Sequence, residues 1–360
     1  MKKFYLLLIL SGIILMSGLA ANAWSFKFWR HKTVIQEKIK TPQTKDFEIL
    51  PTMDSESKAK NQVWVGTFQL IWNDLIDELI HQPVEFIVGE SITAKNLNKR
   101  SFTVDDLDEA SYYKKFALAS PKIKKEIENG IKQKFNEKSD ILDLFDWTPA
   151  EGKYILYAML KKDFEYIETF DKLPEDVFIG SSGKVKYFGV DKDSKGSLRN
   201  TVGVLFYNNN DDYAVTLKSK QGDTVFLYRT NDSKTLDKLY QDMISKSEKY
   251  NGKKWLTKVD EFKAPVIEFK KEREFPELCN KQIKNSNYMI SKAIETVQFK
   301  MNESGVKLKS EAGMMMCLTC APGFRDEPRY FYFNNKYVIF LQEKNKPYFG
   351  MKIEDAKSLQ

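Results

Sequence analysis

The 360-residue sequence holds only two histidines, His31 and His81, and His31 lies in a lysine-rich stretch near the start. A Ser-His-Asp site, or a zinc site built from imidazoles, therefore has little material. Cysteine is nearly as scarce, with Cys279, Cys317 and Cys320 alone. One Cys-x-x-Cys without a second pair is a weak zinc signal. There is no glycine-rich phosphate loop and no internal repeat. The formal charge of +7 is spread over 57 Lys and Arg and 50 Asp and Glu, with no dense basic stripe. Nucleic acid is thus not an expected partner. No catalytic acid/base pair, metal site or cofactor is expected, and the chain does not read as an enzyme.

Long apolar runs are also rare. The one that exists, Phe4 to Ala21, follows Lys2 and Lys3 and ends in Ala21-Asn22-Ala23. That pattern reads as a secretory signal peptide over residues 1–23. The run is near spanning length, so an uncleaved anchor is the alternative. Losing Lys2 and Lys3 lowers the charge to +5. The expected location is secreted or cell envelope, periplasmic or extracellular. An odd cysteine count there leaves one thiol over or pairs it between chains. Residues 24–60 are polar and without period and read as a tether. Residues 61–360 read as a single domain, and a monomer is expected.

What is present has clear periodicity in places. Trp64, Phe68, Ile71, Leu75 and Leu79 fall at helical spacing. Ser120 and Pro121 form a helix start, with Ile123, Ile127 and Ile131 on one face. Residues 90–118 show no clear period. From Lys153 onward the period changes. Tyr154 to Leu160 is an apolar run of strand length. "YAVTLKS" and "TVFLYR" are joined around Gln221-Gly222-Asp223 as a hairpin. Leu236, Leu239 and Met243 mark a further helix, followed by "APVIEF" and "ISKAIETVQFKM". "KYVIFLQ" and "PYFGMKI" form a last hairpin, linked by Glu343 to Lys346. Helices early and antiparallel strands late make this an α+β chain.

Four blocks, "YAMLKKDFEYIETFD", "VTLKSKQGDTVFLY", "ISKAIETVQFKMNESG" and "FNNKYVIFLQEKNKPYFGMKI", follow one another in an order that resembles the serpin superfamily. The strongest is "ISKAIETVQFKMNESG", similar to V-S-x-V-x-H-K-A-x-x-x-V-N-E-x-G through Ile290, Ser291, Ala293, Val297, Met301, Asn302, Glu303 and Gly305. "YAMLKKDFEYIETFD" resembles N-A-x-Y-F-x-G-x-W-x-x-x-F-D, with Tyr157 for Asn and Phe164 for Trp. "VTLKSKQGDTVFLY" and "FNNKYVIFLQEKNKPYFGMKI" resemble two later serpin blocks, with Lys336 for Pro in the last. The likeness covers about residues 120–355 and fits poorly before that. It implies large antiparallel or mixed sheets, helices packed mainly from the N-terminal half, and an exposed reactive loop at about 305–329. It also implies a protease inhibitor. A serine or cysteine protease cuts the loop, and the loop's first part then enters the main sheet as a strand.

The resemblance puts the loop hinge at Glu303, Gly305, Val306, Leu308, Ser310 and Ala312. Strand alternation puts Val306, Leu308, Ser310, Ala312 and Met314 on one face, with Lys307, Lys309, Glu311 and Gly313 on the other. Leu308 is bulky where inhibitors of the family carry small residues. Glu295 stands in place of a histidine, and as a buried carboxylate it needs a partner. Counting forward from the hinge puts the scissile position near Thr319, and counting back from Phe333 puts it on Arg325. Arg325 would address a trypsin-like protease; Met316 is a further candidate. Cys317 and Cys320 lie inside the loop. They could form a local disulfide that cramps it, act as redox-sensitive thiols, or be incidental. Two other functions stand beside the inhibitor: a non-inhibitory binding or structural protein using the loop as a partner site, and a thiol redox enzyme built on this pair.

Overall fold

The structure, a computed structural model, describes residues 46–309, 327–344 and 346–360. It opens on strands β1 (Phe47–Leu50) and β2 (Asn61–Val65). Helix α1 (Thr67–Asp74) runs on as a π-turn, Leu75–Ile80, which stops at His81 in left-handed geometry. Then follow α2 (Ile92–Leu97), β3 (Tyr112–Leu118) and α3 (Pro121–Phe135). The strands β4 (Tyr154–Leu160), β5 (Lys162–Glu165), β6 (Asp171–Val177) and β7 (Lys184–Val190) come next. A short α4 (Gly196–Arg199) precedes β8 (Val202–Asn209), β9 (Asp212–Lys218) and β10 (Thr224–Arg229). After α5 (Leu236–Lys249) come β11 (Glu261–Pro265), β12 (Ile267–Glu274), β13 (Ile294–Met301) and β14 (Gly305–Lys309). The chain closes on β15 (Tyr330–Tyr332), β16 (Tyr337–Gln342) and β17 (Pro347–Ile353).

These form an α+β fold of mixed sheets with several helices. One sheet has seven strands in the order β1-β2-β17-β16-β10-β9-β8. A second runs β15-β11-β7-β6, a third β12-β13-β14-β5, and β3 pairs with β4 alone. Every residue from Tyr337 to Leu341, and all of β17, is buried, so these two strands form the centre of the core. That explains their continuous apolar runs, since a strand covered on both faces has no polar alternation to show. The β9–β10 hairpin turns at Gly222, whose φ of 105° lies where a side chain would be strained.

Helix α3 forms as its sequence suggests. The Ser120 hydroxyl accepts from the Ile123 N–H at 3.3 Å, and Ile127 and Ile131 are fully buried against β4 residues. Two readings need correction. Trp64 belongs to strand β2 and not to the helix, which starts only at Thr67. Five buried residues in a row carry no period, so the tryptophan matched the helical spacing by chance. The reading of residues 24–60 as a tether also fails over Phe47–Leu50. Phe47–Leu50 pairs with β2 in parallel, and Ile49 and Leu50 are buried. Four residues are too few to show alternation. "APVIEF" contributes to two strands, because the chain crosses at Val266 from the second sheet to the third. Among the described residues, no helix is long and apolar enough to cross a membrane.

Candidate functional site

The site grows from the turn between β13 and β14. The Asn302 side chain accepts from the Ser304 and Gly305 N–H groups at 3.0 and 3.3 Å, which folds the chain back on itself. The Glu303 carbonyl accepts from the Phe170 N–H at 2.9 Å, and the Glu303 carboxylate pairs with Lys172 at 3.2 Å. From Gly305 the chain lies antiparallel between β13 and β5. Val306 pairs with Met301 on one side and Phe164 on the other; Leu308 pairs with Phe299 and Lys162. Residues 305–309, which open the segment read as an exposed loop, are therefore a strand inside a sheet.

The alternation is explicit. Val306 and Leu308 are fully buried, while Lys307 is exposed and pairs with Asp163 at 3.1 Å. Gly305 meets Phe164 so closely that a Cβ would stand 2.1 Å from the Phe164 carbonyl oxygen. Lys309 ends the strand under the connection from α3 to β4. Its ammonium reaches Asp140 at 3.3 Å, Glu137 at 3.5 Å and the Lys138 carbonyl at 2.8 Å. Asp140 also holds Lys270 of β12 at 2.7 Å, and Glu137 holds Lys161 at 2.8 Å. One acidic connection thus ties Lys270 of edge strand β12, and Lys161 just before β5, to Lys309 of β14. Burial pushes the carboxyls of Glu137 and Asp140 up, but their lysine partners outweigh it and hold both below the usual range.

Beyond Lys309, β4 and the first half of β13 run on without pairing to each other. A small cavity of about 40 Å³ begins at Lys309, between Tyr157–Leu160 and Thr296. A larger one of about 200 Å³ continues between β4 and β13. Its walls include Phe68, Ile71, Trp72 and Leu75 from the first helix and its π-turn, and Ile141 and Phe145 from the connection after α3. At the far end Tyr154 and Tyr288 meet edge to face with ring centroids 6.0 Å apart. The groove continues the line of β14, and its lining is largely apolar.

Glu295 lies on the wall of this groove. It is 4% exposed, and neither carboxylate oxygen has a hydrogen-bond partner. Across the β12–β13 pair it faces Arg273, which turns away to Glu48 at 2.7 Å and Glu277 at 3.1 Å. Burial pushes the Glu295 carboxyl up to about 8, while the Arg273 charge and the Phe68 backbone N–H pull the other way. The folded state therefore binds this proton more tightly than the unfolded chain does. Its stabilising effect is full below the unfolded value near 4.5 and is lost as pH rises toward 8. Glu295→Gln should accordingly raise the melting temperature more at about pH 8 than at about pH 5. Thermal melts of both proteins at the two pH values test this, and an equal shift at both would refute it.

The chain returns through Arg329, a residue that sequence reasoning missed. Its backbone N–H donates to Asp260 Oδ1 at 2.8 Å and its guanidinium to Asp260 Oδ2 at 2.8 Å. The guanidinium also donates to the Lys253 and Trp255 carbonyls at 3.0 and 2.8 Å and to the Tyr250 hydroxyl at 3.2 Å. Asp260 is fully buried. Nothing in "FRDEPRY" separates this arginine from Arg325 by type, because its partners lie about seventy residues earlier. Ser310, Ala312, Met316, Cys317, Thr319, Cys320 and Arg325 lie outside the described residues. Cys279 is half-buried, its thiol donates to the Phe275 carbonyl at 3.3 Å, and burial pushes its pKa up. Such a thiol is poorly nucleophilic. Among the described residues no group of His, Cys, Asp or Glu is placed to hold a metal.

No protein-family model matches the chain, and no curated protein matches it. Solved structures similar to it include a serpin and a thyroxine-binding globulin. Serpin48, a highly specific serpin of the insect Tenebrio molitor, is 12% identical at a TM-score of 0.40, over 69% of this chain and 78% of that one. Human thyroxine-binding globulin complexed with thyroxine is 10% identical at a TM-score of 0.39, over 64% of this chain and 63% of the globulin.

Proposed function

We propose that this chain is an exported inhibitor of a serine or cysteine protease, acting by cleavage of the segment after Lys309 and insertion of that segment as a strand. The observation that supports this most is β14 itself, seated between β13 and β5 and pointing into an unfilled groove. Glu303 and Gly305 are the hinge. Carried on at the same register, Ser310 would face Val297 and Ala312 would face Glu295. Both are small, as an inward position beside a buried carboxyl requires. The protease supplies the nucleophile, so the inhibitor needs no catalytic group of its own. Arg325 is the favoured scissile position for a trypsin-like enzyme, with Thr319 and Met316 serving other specificities.

One observation favours a second reading, a non-inhibitory binding protein. Leu308 is bulky and already buried in the uncut chain, so part of the insertion has been taken before any cleavage. The two readings separate in one experiment. The mature protein is incubated with trypsin, run on a denaturing gel, and the cleaved chain is melted. The inhibitor gives a persistent high-mass band, a cut after Arg325, and a melting temperature raised by about 10 °C or more, at roughly 2–4 °C per kcal/mol gained. A clean cut with no complex and no added stability overturns it.

A further inference from the structure

We propose that the cavity between β4 and β13 is a binding site for a small hydrophobic amine, its apolar body seated on Phe68, Ile71 and Trp72 and its ammonium group on the Glu295 carboxylate. The volume of about 200 Å³ sets the size. An apolar cavity of about 150 Å³ takes up benzene, so this one holds a single aromatic ring with a short chain. The walls set the chemistry of the body, since helix α1, its π-turn and β4 present aromatic and aliphatic side chains.

Glu295 sets the charge. The other charged groups near it are already matched. Arg273 across the strand pair is held by Glu48 and Glu277, and Lys292 on the cavity rim pairs with Glu274 at 2.8 Å. The remaining titratable groups facing the space are Tyr154, Tyr157 and Tyr288. Burial pushes the Tyr157 phenol up to about 12 and raises that of Tyr288. Glu295 thus has neither oxygen in a hydrogen bond, and the cation opposite it, Arg273, is engaged by Glu48 and Glu277. A buried group in that state is costly, and a desolvated ammonium would satisfy both of its oxygens.

The binding step balances as a proton exchange. The empty site holds Glu295 as a neutral acid, because burial disfavours its charge. The ammonium ligand enters, the carboxyl proton leaves to solvent, and the ion pair remains. One proton is therefore released per ligand bound below about pH 8; affinity rises with pH up to about 8, levels off, and falls once the amine itself loses its charge. The site does not depend on whether the chain traps a protease, because binding is read on the intact protein.

The test is isothermal titration of the full chain with 2-phenylethylamine and with 2-phenylethanol, its uncharged counterpart. Each is run in two buffers of different ionisation enthalpy at about pH 7. The expected result is at least a roughly ten-fold tighter Kd for the amine, accompanied by proton release. Glu295→Gln should bring the two ligands to the same affinity. Ala158→Leu, which fills the cavity from β4, should weaken both and keeps the proposal testable if the first variant fails to fold. Equal affinities in the wild type, no binding of either ligand, an unchanged amine preference in Glu295→Gln, or unchanged binding in Ala158→Leu would each overturn the site.

Discussion

Gly305→Val is expected to drive β14 out of its sheet. The added Cβ would stand 2.1 Å from the Phe164 carbonyl oxygen and 2.9 Å from the Glu165 Cα, and both are backbone atoms that cannot swing aside. Relief requires β14 and β5 to separate. Val306 and Leu308, both fully buried, then lose their cover. Burying such side chains is worth about 1.5–3 kcal/mol each, so the loss is of that order twice over. The melting temperature should fall by about 10 °C. The effect is local as well as global. Hydrogen exchange at the amides of 306–309 should become fast while β16 and β17 stay protected. A variant with wild-type melting and slow exchange at 306–309 would show that β14 does not depend on this close approach. If the inhibitor reading holds, the same variant should also be cut by trypsin without forming a complex, because its hinge cannot seat.

Arg329→Ala is expected to be nearly as damaging, through a different mechanism. The substitution strips the guanidinium from Asp260, which is fully buried and would keep only backbone donors. Removing one partner of a buried ion pair costs about 3–5 kcal/mol, mostly from the charge left behind. The pH dependence identifies the mechanism. In the wild type, burial pushes the Asp260 carboxyl up, but the Arg329 guanidinium and the Thr257 and Arg329 N–H groups outweigh it and hold it below 3.8. A depressed carboxyl contributes stability above its unfolded pKa, and that stability is lost as pH falls through the folded value. Without Arg329 the carboxyl rises and this contribution disappears. The gap between wild type and variant should therefore be wide at neutral pH and narrow at about pH 3. Urea titrations at the two pH values measure it. A gap independent of pH would mean that Arg329 acts by packing alone.

The elements that were legible share one property: their pattern is local. Ser120, Pro121 and the isoleucines at 123, 127 and 131 mark α3 because capping and periodicity act within a few turns. The hairpin around Gly222 is legible for the same reason. Trp64 and Phe47–Leu50 were not. The first sits in a strand buried on all sides, and the second is a four-residue strand whose partner begins at Asn61. Neither carries a period long enough to read.

The site divides along the same line. The in-out alternation of Val306, Lys307, Leu308 and Lys309 belongs to the sequence by itself, since successive side chains of any strand point to opposite faces. So does the oddity of Glu295 within its block. Only the tertiary structure decided that β14 already lies between β13 and β5, that a groove continues beyond it, and that Arg273 turns away from Glu295. It also made Arg329 an anchor by bringing Asp260, Tyr250 and the carbonyls of Lys253 and Trp255 around one guanidinium. The reason is physical. Propensity and alternation act between neighbours in the chain, whereas a close backbone approach, a buried carboxyl without a hydrogen bond and a cavity depend on segments brought together across 70 to 250 residues.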